Sequence, residues 1–269
     1  SKLVILGEGD SEELILSKFF ELDAGNIDVS EISIVPLSGR FVNHFWRLLS
    51  DLEIPYITLL DLDRERNGGG WGRIKYALKQ LIDVGSNKDK ILVLEDGKVL
   101  SNSELEKMHK WSTDGVLNMN AWMARLESYG VFYSSPLDID FLMLEKYEEN
   151  YKSILSANEG PIVKTNNTQE KVKDIEFLPF PMSEYSEKKE SAVRSALKEY
   201  GGNGATYTEN QKRLMVWYNY FFLGRGKPTT HISMFSKISD SDLKAATPEV
   251  ISKIIKRANL LLNGGNADD

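Results

Sequence analysis

Acidic residues follow two short apolar segments in the first quarter of the chain. Glu8 comes shortly after the apolar run 3–6, and Glu12 lies one helical turn further on. Because residues i and i+4 share a face of a helix, a helix that begins near Gly9 would bring both carboxylates toward one point. Glycine at position 9 allows the backbone to turn sharply between the strand and this helix. The spacing therefore predicts a strand, a tight turn and a helix that carry two converging acids.

A second acidic pair, Asp61 and Asp63, ends the apolar segment 56–60. Residues i and i+2 project to the same side of an extended chain. If the two apolar segments are neighbouring strands, four carboxylates meet at the carboxyl edge of one sheet. Two like charges about 4 Å apart repel by on the order of 4 kcal/mol at an effective dielectric near 20, so such a cluster needs protons or cations. Oxygen ligands favour Mg²⁺ or Mn²⁺, although each acid alone could instead cap a helix or open a turn.

Alternating apolar and amphipathic segments predict the elements that position these acids. Predicted strands lie at 3–6, 32–37, 56–60, 91–94 and 131–133. Predicted helices lie at 11–22, 41–52, 71–84 and 118–129. This alternation is typical of an α/β fold, in which helices cover a mostly parallel sheet.

The composition changes after Pro136, where polar stretches and two helical patterns at 187–200 and 208–222 replace the alternation. No convincing strand interrupts these patterns. We therefore expect one α/β domain made of 1–140 and 223–262, with 141–222 as an inserted helical domain. The last segment, 263–269, is expected to fray.

Composition and charge restrict the classes of function. The chain has 269 residues, with 33 Lys+Arg against 40 Asp+Glu, a net charge of −7 and no cysteine. A protein of this charge repels polyanions, so contact with nucleic acid requires a local basic patch or bridging cations. The absence of cysteine excludes thiolate nucleophiles and cysteine-bound zinc. No apolar run approaches the roughly 20 residues of a membrane span, and we expect a cytoplasmic protein without a membrane partner. The oligomeric state is not indicated.

Four motifs resemble those of a known family. The sequence EGDSE at 8–12 and DLD at 61–63 are similar to the motifs of the Toprim domain, which occurs in topoisomerases, DnaG-type primases and OLD (overcoming lysogenization defect) nucleases. PLDID at 136–140 and GKPTTH at 226–231 make the OLD group the most similar. The resemblance covers most of 1–140 and 223–260 and implies a Rossmann-like, mostly parallel sheet flanked by helices.

The resemblance also implies an activity and partners. Nucleases of the OLD family cut DNA by a two-metal mechanism, and their catalytic region normally follows an ABC-type ATPase half on the same chain. The pattern GxxxxGK(S/T) does not occur in this sequence, so no ATP site is expected here. We therefore expect the carboxyl-terminal catalytic region of an OLD nuclease, with DNA as its substrate and two Mg²⁺ or Mn²⁺ ions as its cofactors.

The resemblance assigns roles to individual residues. The implied metal ligands are Glu8, Glu12, Asp61 and Asp63, together with one later acid that is either Asp138 or Asp140. The residues expected to take part in catalysis are Glu8, Asp61, Asp63 and Lys227. Asp61 is expected to lie between the ions, and Lys227 is expected to face the scissile phosphate. Lys227 is also expected to contact the substrate. Three further residues are expected to contact it because of their positions in the sequence, namely Arg64 and Arg73 on either side of the glycine-rich segment 67–72, and His231 close to Lys227.

Three other functions remain open. A Toprim-fold module that binds DNA or assists assembly without cutting would need no cluster of carboxylates. A topoisomerase would need a nucleophilic tyrosine and a primase would need accessory domains, and no sequence feature marks either. A phosphatase of the haloacid dehalogenase type would use Asp61 as nucleophile and Asp63 as acid, which leaves Glu8 and Glu12 without a role.

Overall fold

The computed structural model describes residues 1–23, 31–113, 115–156, 159–164, 169–171 and 182–264. The chain forms two units. The first unit comprises Ser1–Arg64, Gly68–Asp138 and Glu249–Asp269, and the second comprises Glu65–Asn67 and Ile139–Pro248. Among the described helices, none has the length and apolar character that would let it cross a lipid bilayer.

A four-stranded parallel sheet forms the centre of the first unit. Its strands are β1 (Leu3–Gly7), β2 (Ile32–Pro36), β3 (Tyr56–Asp61) and β4 (Val131–Ser134). Their spatial order is β2-β1-β3-β4, and every pair is parallel. The carboxyl ends of β1 and β3 therefore lie side by side at one edge of the sheet, as the sequence predicts.

Helices flank this sheet. They are α1 (Asp10–Leu22), α2 (Asn43–Asp51), α3 (Trp71–Asp83), α4 (Lys88–Ile91), α5 (Asn102–Lys107), a 3-10 helix (Met108–Lys110) and α6 (Val116–Ser128). A core cluster joins Leu6 of β1 and Leu60 of β3 to Trp46 of α2 and Ile74 of α3. The last helix of the chain, Glu249–Leu262, packs against α1, β1 and β4. The predicted α/β class, with a mostly parallel sheet and flanking helices, is confirmed.

The strand predicted at 91–94 is wrong. Residues Lys88–Ile91 form the short helix α4, whose start is capped by the Asn87 side chain as it accepts a hydrogen bond from the Lys90 amide. Val93 makes only an isolated antiparallel bridge with Val99. Ile91 is fully buried in this helix. A buried run of four apolar residues therefore does not distinguish a strand from a helix, and here the cap decides.

The second unit is mainly helical. Its helices are α7 (Ile139–Lys146), α8 (Glu148–Ser153), α9 (Met182–Leu197), α10 (Glu209–Tyr218), α11 (Lys227–Phe235) and α12 (Asp240–Ala245), and the last helix of the chain is therefore α13. A π-helical segment, Asn219–Arg225, continues α10. Two short strands, β5 (Ile162–Lys164) and β6 (Gln169–Lys171), pair antiparallel and precede the two segments in which the sequence predicts helices.

The second unit contains all of the described residues of the expected insertion, 141–222, and continues to Pro248. The chain returns to the first unit at Glu249, and α13 ends at Leu262. Residues 265–269 of the expected frayed end lie outside the described residues. The division of the chain into domains that the sequence suggests stays a prediction.

Candidate metal centre

The turn between β1 and α1 positions Glu8 and Glu12. The Gly9 amide donates a hydrogen bond of 2.8 Å to Oε2 of Glu12, which holds the Glu12 side chain against the turn. A Cβ atom on Gly7 would lie only 2.4 Å from the Cβ of Glu12. Glycine is therefore required at position 7, because strand and helix approach each other so closely there. Glu12 is buried as a result of this packing.

The loops after β3 and β4 are hydrogen-bonded to each other. The Leu62 amide donates to the Ser134 carbonyl oxygen at 3.0 Å, and the Asp63 amide donates to the Leu137 carbonyl oxygen at 2.7 Å. Asp63 has a φ angle of 53°, which is uncommon for a residue other than glycine. These bonds hold the segment that follows Asp61 beside the segment that leads to Asp138.

Three aspartates converge where these loops meet. One carboxylate oxygen from each of Asp61, Asp63 and Asp138 lies within 4.8 Å of the other two. The Ser134 hydroxyl donates to Oδ1 of Asp61 at 2.7 Å, and the Asp61 amide donates to Oε1 of Glu8 at 3.0 Å. The two predicted acidic motifs therefore meet, and Asp138 joins them.

The electrostatics of this cluster suit a cation. Burial raises the pKa of the Asp61 carboxyl well above its usual value, and the nearby carboxylates of Glu12, Asp138, Glu8 and Asp63 raise it further. A bound divalent cation would offset both the lost hydration and the mutual repulsion. All the donors are carboxylate oxygens, which are the ligands that Mg²⁺ and Mn²⁺ prefer. The residues at this edge of the sheet therefore fit a divalent metal ion.

A buried arginine lies inside the same cluster. Nη1 of Arg73 donates to Oε1 of Glu8 at 2.8 Å, and Nη2 donates to Oε2 of Glu8 and to Oδ2 of Asp63. Arg73 is in the first turn of α3, and the Tyr133 hydroxyl donates to its carbonyl oxygen at 3.1 Å. Burial raises the pKa of Glu8, and the charge of Arg73 lowers it. Burial has the larger effect, so the pKa is raised overall. The centre therefore contains a cation of its own.

The arginines expected to contact the substrate are both buried. Arg64 and Arg73 are each 6% exposed. The Arg64 amide also takes part in the contact between the two loops, because it donates to the Pro136 carbonyl oxygen at 3.0 Å. No pattern in the sequence indicates that Arg73 pairs with Glu8 and Asp63, and contact of either arginine with a substrate stays a prediction.

The remaining candidate residues lie in the second unit. Asp140 is almost fully buried, and Nζ of Lys227 lies 2.5 Å from its Oδ2. Nε2 of His231 lies 2.8 Å from Oδ1 of Asp140, and Nδ1 of His231 lies 2.6 Å from the Tyr151 hydroxyl oxygen. Burial raises the pKa of Asp140, but His231 and Lys227 lower it more, to about 2. Asp140 is thus the charged centre of a network within this unit, and the expected roles of Lys227 and His231 toward metal or substrate stay predictions.

Comparisons with known proteins agree with this architecture. Residues 1–63 match the family described as overcoming lysogenization defect protein-like, TOPRIM domain. The C-terminal region of the Burkholderia pseudomallei OLD protein is 15% identical in sequence, with a TM-score of 0.50 and coverage of 96% of this chain and 98% of that chain. The C-terminal region of the Xanthomonas campestris pv. campestris OLD protein, phased with iodine, is 16% identical, with a TM-score of 0.46 and coverage of 96% and 94%. A comparison with curated proteins finds no match.

The parallel sheet, with its acids at the carboxyl ends of β1 and β3, is similar to that of a Toprim domain. Residues 1–63 match the OLD-like type of this domain. The resemblance inferred from the EGDSE and DLD motifs is therefore confirmed.

Proposed function

We propose that this chain cleaves DNA by metal-dependent phosphodiester hydrolysis. The observation that supports this most directly is the convergence of oxygens from Asp61, Asp63 and Asp138 within 4.8 Å of one another. Asp138 lies far from Asp61 and Asp63 in the sequence, and the burial of the three carboxylates together is costly without a cation. A domain that only binds DNA has no need for such a cluster, whereas a metal-dependent nuclease does.

Asp61, Asp63 and Asp138 would hold one divalent ion, and Glu8 and Glu12 would hold a second, with Asp61 contributing to both. When bound, divalent ions lower the pKa of an attacking water and stabilise the charge on the phosphoryl and leaving oxygens. Mg²⁺ and Mn²⁺ both suit this oxygen-only donor set. Since Glu8 is already paired with Arg73, an ion at Glu8 has to compete with the guanidinium group.

The protein's own residues orient this centre. The hydroxyl group of Ser134 fixes one Asp61 oxygen, and the Asp61 amide fixes one Glu8 oxygen, so the two strands set the direction of both carboxylates. In the second unit, Lys227 is 41% exposed in its side chain and stays the proposed cation for the scissile phosphate. Because the chain carries a net charge of −7, both DNA affinity and cleavage should depend on divalent ions.

The named solved structures are C-terminal regions of OLD proteins, and the family resemblance pairs such regions with an ABC-type ATPase. We therefore propose that this chain works with an ATPase region of that kind and acts on DNA in the cytoplasm. Its own contribution is the cleavage step, and we expect no ATP site in this chain.

Incubation with supercoiled plasmid tests the proposal. In Mg²⁺ or Mn²⁺ we expect nicked and linear products, which disappear in excess chelator and with Asp61→Asn. Asp96→Asn is the matched control, because Asp96 is an exposed acid of the same unit that pairs only with Lys98 in the described part of the chain. Cleavage that persists undiminished in chelator, or equally in Asp61→Asn, would contradict the mechanism.

One observation favours a second candidate, a Toprim module that binds DNA without cutting it. Arg73 already supplies a positive charge to Glu8 and Asp63, and could maintain part of the cluster without any metal. In that case the plasmid would be bound but would stay supercoiled in every metal, and titration calorimetry would show no uptake of Mn²⁺. Topoisomer ladders would instead indicate a topoisomerase.

A further inference from the structure

A basic cavity lies beside the proposed metal centre within the first unit. Its volume is about 390 Å³, within the range of roughly 300–1,000 Å³ that is usual for small-molecule sites. Four of the residues that line it carry positive charge, and none of its described lining residues is Asp or Glu. These four residues are Arg40, Arg73, Lys75 and Lys79. In a chain with a net charge of −7, such a cavity selects for an anionic ligand.

An exposed aromatic ring lies at the opening of this cavity. Phe41 is 63% exposed, the highest exposure of any large aliphatic or phenylalanine side chain in the described residues. Its ring makes an edge-to-face contact with Tyr76, with 6.1 Å between the centroids. Tyr76 is itself held in place, since its hydroxyl oxygen accepts a hydrogen bond of 3.1 Å from the Val42 amide. The Phe41 ring therefore packs against a fixed neighbour and still stays largely exposed to solvent.

The cations of the cavity differ in how they are already paired. Lys75 and Lys79 both contact the carboxylate of Glu106, at 2.9 Å and 2.6 Å. Arg40 lies over the Phe41 ring, with 5.5 Å from its Cζ to the ring centroid, and has no carboxylate partner among the described residues. A guanidinium group that lacks a carboxylate partner in the described part of the chain, next to an exposed ring, suits a ligand that has both a phosphate and a flat aromatic base.

The cavity adjoins the carboxylate cluster through Arg73. This residue lines the cavity and also hydrogen-bonds Glu8 and Asp63. Gly68 and Gly72 line the cavity as well and carry no side chain that would block a ligand's approach to Arg73. A strand whose phosphate lies at the carboxylates could therefore place its next nucleotide in the cavity.

We propose that this cavity binds one nucleotide of the DNA strand next to the scissile phosphate, with its base stacked on Phe41 and its phosphate on Arg40. This inference rests on the proposed nuclease function, because it takes the substrate to be DNA. It adds that the nucleotide must be unpaired, since a base inside a duplex does not offer its face to a protein ring. Ends, flaps and single strands should therefore bind better than intact duplex.

A single-stranded oligonucleotide that contains the fluorescent base 2-aminopurine tests the stacking. Binding is measured in Ca²⁺ in place of Mg²⁺, with the oligonucleotide checked on a gel for integrity. We expect the fluorescence to fall on binding, and we expect Phe41→Ala to abolish this fall and to weaken binding at least about fivefold. Phe41→Trp should restore both. The matched control is Leu48→Ala, which removes a side chain of 54% exposure on α2 that does not line the cavity.

The salt dependence of binding tests the phosphate contact. Arg40→Ala should reduce the slope of log affinity against log salt concentration by about 0.7, the value for one contact with a single strand. Arg40→Lys should retain most of the slope. Arg47→Ala is the matched control, because Arg47 is an exposed arginine of α2 outside the cavity. Equal slopes for Arg40→Ala and Arg47→Ala, or equal quenching by Phe41→Ala and the parent protein, would overturn the proposal.

Three further results distinguish this proposal from the alternative hypotheses. If deoxyadenosine monophosphate alone binds the cavity and the oligonucleotide does not, the ligand is a free nucleotide and the strand assignment is wrong. If quenching depends on Phe41 but no metal supports cleavage, the result supports nucleotide binding in the cavity and contradicts the nuclease function. If cleavage occurs and neither the Phe41 nor the Arg40 variants differ from their controls, the result supports the nuclease function and contradicts nucleotide binding in the cavity.

Discussion

The guanidinium group of Arg73 donates hydrogen bonds to both carboxylate oxygens of Glu8, at 2.8 Å and 3.3 Å. Its Nη2 also contacts Asp63, and the Arg73 side chain is only 7% exposed. An arginine in such a forked geometry neutralises charge without titrating at physiological pH. Glu8 and Asp63 therefore share the guanidinium group of Arg73 as their internal cation. A metal ion that binds either carboxylate has to displace this guanidinium group from it.

We expect Arg73→Met to destabilise the protein strongly when divalent ions are absent. The substitution leaves the Glu8 and Asp63 carboxylates buried without their cation, which typically costs about 3–5 kcal/mol. In Mn²⁺ the variant should recover part of this loss, and Mn²⁺ should stabilise it more than it stabilises the parent protein. Urea unfolding in chelator and in Mn²⁺ measures both effects.

Arg47→Met is the control for this experiment, since it removes an exposed arginine of the same unit and should change the free energy of unfolding little. Equal stabilisation of Arg73→Met and the parent protein by Mn²⁺ would show that the guanidinium group and the metal do not compete for these carboxylates.

The four strands of the main sheet could be predicted from sequence because each is a short, mostly apolar run between turn residues. Their order could not, since strand pairing joins residues far apart in the chain. β1 pairs with β2 and with β3, and β4 follows a stretch of several helices. The strand predicted at 91–94 is wrong because its apolar run is too short for the pattern to distinguish a strand from a helix.

The meeting of Glu8 with Asp61 and Asp63 could be anticipated from the rule that parallel strands end at one edge. Asp138 and Asp140 could not be separated, because they lie two residues apart after the same strand. The structure assigns them to different units and gives Asp140 the partners Lys227 and His231.

The pairing of Arg73 with Glu8 was missed, since it joins residues 65 positions apart and no local pattern marks it. The sequence instead predicts that this arginine contacts the substrate.

We expect Asp138→Asn and Asp140→Asn to affect metal binding differently. Asp138 belongs to the cluster with Asp61 and Asp63, so its substitution should weaken Mn²⁺ binding at least about tenfold, which corresponds to the loss of a charged ligand. Asp140 is engaged with Lys227 in the second unit, and its substitution should leave Mn²⁺ affinity nearly unchanged. Titration calorimetry with Mn²⁺ measures both. A larger loss for Asp140→Asn would make Asp140 the metal ligand.

We expect Asp140 to contribute a stability that is lost in acid. His231 and Lys227 lower its pKa to about 2, below its usual value of 3.8, despite the opposing effect of burial. A carboxyl whose folded pKa is lowered stabilises the fold above its unfolded pKa and loses this contribution as the pH falls through the folded value. The free energy of unfolding of Asp140→Asn should therefore lie on the order of 2 kcal/mol below that of the parent protein at neutral pH, and the difference should shrink below about pH 4. Urea unfolding across this pH range measures it, and a constant difference would contradict the assignment.

We expect Gly7→Ala to disturb the metal centre through packing alone. The new Cβ atom would lie 2.4 Å from the Cβ of Glu12, so α1 has to shift and carry the Glu12 carboxylate away from the centre. The free energy of unfolding should fall by about 1–3 kcal/mol. The fraction of Gly7→Ala molecules that folds should bind Mn²⁺ more weakly than the parent protein. Gly72→Ala is the matched control for stability, because no atom lies within 4 Å of its added Cβ and α3 should tolerate alanine or gain from it. Thermal unfolding and Mn²⁺ titration compare the two, and equal behaviour would show that the close approach of β1 and α1 does not fix the position of Glu12.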